Sequence, residues 1–143
     1  MNPKDTLAPL YGAYSAMQSQ KNDIAATMME QYIEKGGKDA GNFALLAQLY
    51  RIEKKNDKAL AILDKGMEIL PASKTSFKAE RVNVLLDTQR LEEAKVGLNE
   101  LIDLDPKNAQ YALNLGILND NEVQQITAEI RKLAETSKKT SGV

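Results

Sequence analysis

The 143-residue sequence lacks cysteine and histidine, and it has four prolines and eight glycines. Without cysteine there are no disulfides and no thiolate chemistry, although this absence does not indicate a compartment. Without histidine the commonest general base and the commonest metal ligand are missing. No nucleophile–base pair, glycine-rich phosphate loop or metal-ligand spacing occurs. We therefore expect a non-enzymatic protein with no cofactor and no metal.

The sequence also lacks an excess of either charge and a long apolar run. It has 19 basic and 20 acidic residues, which argues against a nucleic-acid partner or an anionic membrane surface. No segment approaches 18 consecutive apolar residues, so we expect no membrane insertion. No signal peptide is visible at the N-terminus, which favours a cytoplasmic location for the chain as given. A periplasmic or secreted location stays open if the chain was excised from a longer exported protein.

What the sequence does contain is a repeat. Four alanines, Ala25, Ala59, Ala94 and Ala128, follow one another at intervals of 34, 35 and 34 residues. A second series has the same period and consists of Pro3, Gly37, Pro71 and Pro106. Within each period, apolar residues at helical spacing precede and follow a polar turn such as KKND, where Asn56 or Asp57 is placed to cap a helix. The period therefore predicts a series of helix–turn–helix units.

Residues 40–71 resemble one unit of the tetratricopeptide repeat (TPR) family. The family pattern of an aromatic residue, Leu-Gly, Tyr, Ala, a large apolar residue and Pro appears as Phe43, Leu46-Ala47, Tyr50, Ala59, Leu63 and Pro71. The third unit departs from the pattern, with Lys78 at the aromatic position and Arg81 at the Leu position. The resemblance implies an all-α, right-handed α-solenoid of about four such repeats.

The same resemblance divides the chain. We expect a single TPR domain over residues 1–140, with repeats at about 6–37, 40–71, 75–106 and 109–140. The fourth unit has Asn119-Asp120-Asn121 interrupting its first helix, and its second helix reads as a polar cap. Residues 136–143 form a polar tail that we expect to be disordered.

By resemblance, the first helix of each unit lines a concave groove that binds a peptide or protein segment. The residues expected to face that groove are Leu10, Tyr14, Gln18, Gln48, Arg51, Glu80, Asn83, Asp87, Gln110 and Asn114. The amides of Gln48 and Asn83 could grip a peptide backbone, or they could be solvated polar residues. Arg51 is the only clear cation in this set, so a clamp for acidic chaperone tails is not expected.

A second hypothesis concerns self-association. The linker NPKD at residues 2–5 resembles the linker DPKN at residues 105–108, so the chain could be a piece of a longer array, or NPKD could be a capping leader. The first helix has little polar face, and an apolar solenoid end invites another repeat, a partner or a second copy. The alternative function is therefore end-to-end assembly through Leu7, Leu10, Tyr11 and Tyr14.

Overall fold

A computed structural model describes the backbone of residues 5–141 and the side chains of residues 5–139. Within that range the chain forms seven α-helices and one short 3-10 helix, and no strand. The α-helices are α1 Leu7–Gln18, α2 Asn22–Glu34, α3 Ala40–Ile52, α4 Asn56–Ile69, α5 Lys74–Asp87, α6 Leu91–Leu104 and α7 Ala109–Ser141. The expected all-α fold of helix–turn–helix units is confirmed. Pro3, the first member of the second series, lies outside the described residues.

The chain divides into two compact units. The first comprises residues 1–97, which contain α1 to α5 and the start of α6. The second comprises residues 98–143, which contain the end of α6 and α7. In the first unit α1 packs on α2, α2 on α3, α3 on α4 and α4 on α5. This stacking is the way in which helix pairs bury apolar faces that neither pair could bury alone.

The turn inside each helix pair is made by a residue in the left-handed conformation. Gln20, Lys54 and Gln89 have φ angles of 57°, 58° and 59° and stand 34 and 35 residues apart. The amide of the residue after each of them donates back to the preceding helix, from Lys21 to Ala16, from Lys55 to Tyr50 and from Arg90 to Leu85. Such bonds satisfy carbonyls at a helix C-terminus, and they reverse the chain at the same point of every pair.

The alanine series fixes the distance between helices. Ala25, Ala59 and Ala94 are all 0% exposed, and each donates its amide to the carbonyl of the basic residue that ends the turn. A side chain without atoms beyond Cβ allows a neighbouring helix to approach closely. Each of the three pairs therefore has a fully buried alanine at the same point of its second helix.

The departure in the third unit is a change of register. Phe77, and not Lys78, supplies the aromatic core residue: it is 1% exposed and its ring lies 6.2 Å from that of Phe43. Phe43 and Phe77 are 34 residues apart, whereas the exposed Gln48 and Asn83 are 35 apart, so α5 contains one additional residue between these positions. The additional residue also places Arg81 outside the core. There its Nε donates to Asp64 Oδ1 over 3.1 Å.

A glycine makes room for Phe77. A Cβ atom on Gly66 of α4 would come within 3.0 Å of the Phe77 ring. Such a contact is tighter than usual for a carbon pair, so a side chain at this position would require the Phe77 ring to shift by a few tenths of an ångström. Gly66 therefore belongs to the packing between the second and third helix pairs.

The predicted interruption of the fourth unit is wrong. α7 continues through Asn119, Asp120 and Asn121 as one helix of 33 residues. Asn and Asp lower helix propensity by less than about 1 kcal/mol each and do not stop a helix as Gly-Pro sequences do. The residue 34 positions after Gln89 is Val123, and a β-branched residue strongly disfavours positive φ. The fourth unit therefore lacks the residue type that makes the turn in the others.

Two smaller predictions are also wrong. The tail remains helical to Ser141, where Lys138 and Lys139 lie in the last turn and complement the partial negative charge of a helix C-terminus. Residues 142–143 lie outside the described part. Asn56 and Asp57 do not cap α4, because the helix begins at Asn56 and the N-cap residue is Lys55, which makes no side-chain capping bond.

Candidate functional site

A groove of about 550 Å³ opens on the first helices of the three pairs, within the first unit. It is lined by Tyr14, Asp39, Gly41, Asn42, Ala44, Leu45, Gln48, Arg51, Glu80 and Asn83. Five residues of the expected groove set are among them, namely Tyr14, Gln48, Arg51, Glu80 and Asn83. The wall is therefore mainly polar, with Leu45 and the ring of Tyr14 as its larger apolar surfaces.

The repeat explains why these side chains lie together. Tyr14, Gln48 and Asn83 are separated by 34 and 35 residues and occupy the same position on α1, α3 and α5. All three are exposed, while the residue before each of them, Ala13, Ala47 and Val82, is buried. The buried neighbours hold each helix on the core, and the exposed position then points to the same side in every pair.

Tyr14 is fixed by a buried asparagine. Its hydroxyl donates to Oδ1 of Asn42 over 2.8 Å, and Asn42 is 7% exposed. The backbone N–H of Asn42 donates in turn to Asp39 Oδ1, which caps the N-terminus of α3. The side-chain oxygen and the backbone N–H of a buried residue need such partners, because an unsatisfied polar group costs about 1–3 kcal/mol. Tyr14 therefore lines the groove with its hydroxyl held by α3.

Arg51 carries the positive charge among the lining residues, and it is already paired. Its Nε donates to Asp87 Oδ2 over 2.9 Å, and its Nη1 lies 3.6 Å from Glu80 Oε2. The pairs join α3 to α5. Together with Asp39, the carboxylates of Glu80 and Asp87 outnumber this single guanidinium among the groove residues and the residue that bonds to it.

The other expected residues are placed differently. Leu10 is half-buried and Gln18 is exposed, and neither lines the groove. Asp87 does not line it either, and enters through its bond to Arg51. Gln110 and Asn114 lie on α7, in the second unit, where the Gln110 amide donates to Asn114 over 2.8 Å.

Sequence reasoning missed five residues that line the groove from the N-cap and the first half of α3, namely Asp39, Gly41, Asn42, Ala44 and Leu45. The pair Asp39 and Asn42 has the spacing of an N-cap and its third helical residue, a signal that could have marked the helix start. The burial of Asn42 and its bond to Tyr14 depend on how α1 and α3 pack. The sequence pattern of α3 alone does not predict this burial or this bond.

A second polar cluster lies between α2 and α3. The Tyr50 hydroxyl donates to Glu30, and Lys58 Nζ lies 5.7 Å from the Tyr50 ring centre. Burial, the hydrogen bond to Glu30 and the nearby charges of Glu30 and Glu53 raise the pKa of Tyr50 well above its ordinary value. Because this side chain stays protonated, the cluster acts as a tie between the first and second helix pairs.

Within residues 5–141, no three acidic, histidine or cysteine side chains converge as a metal site would require. No helix in the same range is both long and apolar enough to cross a membrane.

Comparison with solved structures shows the fold. The chain is similar to the Arabidopsis OM64 TPR domain, with a TM-score of 0.66 and 16% identity over 85% of this chain and 99% of that one. It is similar to the first TPR of Spaghetti (RPAP3) bound to the HSP90 peptide SRMEEVD, with a TM-score of 0.65 and 18% identity over 86% of this chain and 99% of that one. It is also similar to the crystal structure of MamA, with a TM-score of 0.69 and 11% identity over 99% of this chain and 84% of that one.

The protein has the tetratricopeptide repeat fold, and the resemblance seen in the sequence is confirmed at that level. No protein-family model matches the chain, and none of the curated proteins does.

Proposed function

We propose that the protein is a non-catalytic scaffold that binds an extended segment of a partner protein in the groove of α1, α3 and α5. The observation that carries this proposal is the placement of Tyr14, Gln48 and Asn83 on one wall at repeat spacing. Side-chain amides have both donors and acceptors and can bond to the backbone of an extended chain. The Spaghetti domain, which has the same fold, binds a peptide in its solved structure.

The charges of the groove favour a neutral or basic segment. Arg51 is bonded to Asp87 and lies near Glu80, so an acidic ligand would have to compete with two carboxylates for it. A lysine or arginine of the partner would instead approach Asp39, Glu80 and Asp87. The acidic peptide SRMEEVD, bound by the Spaghetti domain, is therefore not the expected ligand here.

Selection of a random peptide library on the full chain tests both statements. We expect the selected peptides to carry lysine or arginine and to bind in a fluorescence anisotropy titration. Enrichment of acidic peptides would contradict the charge argument and leave the groove in place. Failure to select any peptide would argue against a peptide-binding function.

The groove is tested with Gln48→Ala/Asn83→Ala. Loss of two hydrogen-bonding amides, at about 1 kcal/mol each, should weaken binding of a selected peptide roughly 30-fold. Both side chains are exposed, so the free energy of unfolding should change little. Gln31→Ala/Gln124→Ala is the matched control, since it removes two exposed amides that do not line the groove. Equal binding by the double variant and the control would show that the groove is not the site.

Exposure of the first helix favours one alternative, end-to-end assembly. Leu7 and Tyr11 are 56% and 67% exposed, whereas Leu10 is half-buried and Tyr14 is bonded to Asn42. If this surface joins copies, Leu7→Glu/Tyr11→Glu should abolish an association that sedimentation equilibrium detects in the wild-type chain. Association that survives in this variant would exclude α1 as the contact.

A further inference from the structure

The second half of α7 is a helix with an uncovered apolar stripe. Every residue from Asn119 to Lys139 is exposed, including Val123, Ile126, Ile130 and Leu133 at 61%, 50%, 62% and 69%. In proteins, most of the stability of a helix comes from the packing of its apolar face. A surface that covered the stripe would therefore stabilise this half of the helix.

The spacing of the stripe is that of a coiled-coil seam. Val123, Ile126, Ile130 and Leu133 are separated by three, four and three residues, the a and d positions of two heptads. A seam restricted to a and d is narrower than the apolar face of a helix that packs on a globular core. By contrast, α4 combines Ala59, Leu60, Leu63 and Gly66 into a broader buried face. The stripe is therefore suited to one partner helix.

The overall charges of the two halves of this helix favour a second copy in the antiparallel direction. Residues 119–129 contain three acidic residues and no basic one, and residues 130–139 contain four basic residues and one acidic one. An antiparallel second copy sets the acidic half of each helix beside the basic half of the other, while a parallel copy sets like charges together. Residues 109–118, against which the same chain could fold back, contain no charge at all.

We propose that the second half of α7 pairs with the α7 helix of a second copy, antiparallel, through Val123, Ile126, Ile130 and Leu133. Val123 then lies opposite Leu133 of the other copy, and Ile126 opposite its Ile130. The proposal is independent of the peptide groove, which lies wholly in the first unit. Since the seam contains only two heptads, we expect a dissociation constant on the order of 100 µM.

Sedimentation equilibrium of the full chain between about 10 µM and 1 mM tests the pairing. We expect a monomer–dimer equilibrium that Ile126→Glu/Ile130→Glu shifts at least tenfold toward monomer. Gln124→Glu/Ala128→Glu adds the same charge beside the seam and should leave the dimer intact. A dimer that persists in the seam variant overturns the proposal.

A wild-type chain that stays monomeric at 1 mM also overturns it. If the seam variant of that monomer then melts at a lower temperature than the control, the stripe is covered by its own chain. If the two variants melt alike, the stripe is uncovered in solution. The Leu7→Glu/Tyr11→Glu variant separates this interface from assembly through α1, because only the latter should respond to it.

The direction of pairing is tested by disulfide capture, which the absence of native cysteine makes specific. Chains carrying Val123→Cys and chains carrying Leu133→Cys are mixed and oxidised, and the products are separated by mass. Antiparallel pairing predicts the mixed disulfide, with little of either symmetric product. Predominance of the symmetric products would indicate a parallel pair and overturn the proposal.

Discussion

Ala59 and Ala128 occupy the same place in the repeat, but Ala59 is completely buried and Ala128 is exposed. Around Ala59 the chain has reversed at Lys54, so that α4 packs on α3. Around Ala128 the chain has not reversed, and α7 continues as one helix. The recurrence of an alanine at the repeat spacing is therefore insufficient to make a helix pair. The turn residue decides whether the spacing is used.

The largest difference between the two regions should appear on enlarging these alanines. We expect Ala59→Leu to lower the free energy of unfolding by about 1–3 kcal/mol, because the added atoms overpack the helix contact. Ala128→Leu should change it by less than about 0.5 kcal/mol, as is usual for exposed sites. Urea denaturation of both variants measures the difference. Equal effects would mean that residue 128 is packed in solution.

A second difference concerns pH and belongs to the first region alone. Tyr50 has a raised pKa in the folded state, so above about pH 10 the unfolded chain loses this proton first. The contribution of Tyr50 to stability is thus fully present below pH 10 and is lost as pH rises toward the folded pKa. The slope approaches about −1.4 kcal/mol per pH unit.

Tyr50→Phe should remove that part of the slope between pH 10 and 11.5, measured by urea denaturation at each pH. Tyr11→Phe is the control, because the Tyr11 ring is 67% exposed. Identical slopes in wild type and Tyr50→Phe would show that Tyr50 is not held by Glu30 and the surrounding core.

The smallest effect should have opposite signs in the two regions. Gln89→Gly should raise the free energy of unfolding by roughly 0.5–1 kcal/mol, because glycine adopts the positive φ of 59° without strain. Val123→Gly, 34 residues further on, should weaken α7 by roughly 0.5–1 kcal/mol, because glycine is a poor helix former. Amide hydrogen exchange near each site reports the change. A gain at both sites would indicate that residue 123 also makes a turn.

Much of the fold could be predicted from the sequence because the period records it. The alanine series predicted the helix pairs, and three of its members, Ala25, Ala59 and Ala94, are buried in the second helices of those pairs. The register change in α5 could not be predicted, because Lys78 fits the repeat count and only the packing of Phe77 on Phe43 and Gly66 shows which residue is inside. The continuity of α7 depends on the turn conformation, which no side-chain pattern displays.

The candidate site was predictable to the same extent. Equivalent positions on successive helices identified Tyr14, Gln48 and Asn83, each of which is exposed and follows a buried residue. Asp39 and Asn42 were missed because their roles arise from contacts between α1 and the N-terminus of α3. Gln110 and Asn114 were included by extending the period into a unit where the helix pair does not form.

The hydrogen bond between Tyr14 and Asn42 has a consequence for any ligand that the proposed groove would bind. Any ligand that draws the Tyr14 hydroxyl toward itself must break this bond and leave the amide oxygen of Asn42 without its donor, at a cost of about 1–3 kcal/mol. A ligand that brings its own donor to Asn42 restores the bond, whereas a purely apolar group does not. If the proposed groove binds a ligand, we therefore expect tighter binding of ligands that replace the hydrogen bond they displace.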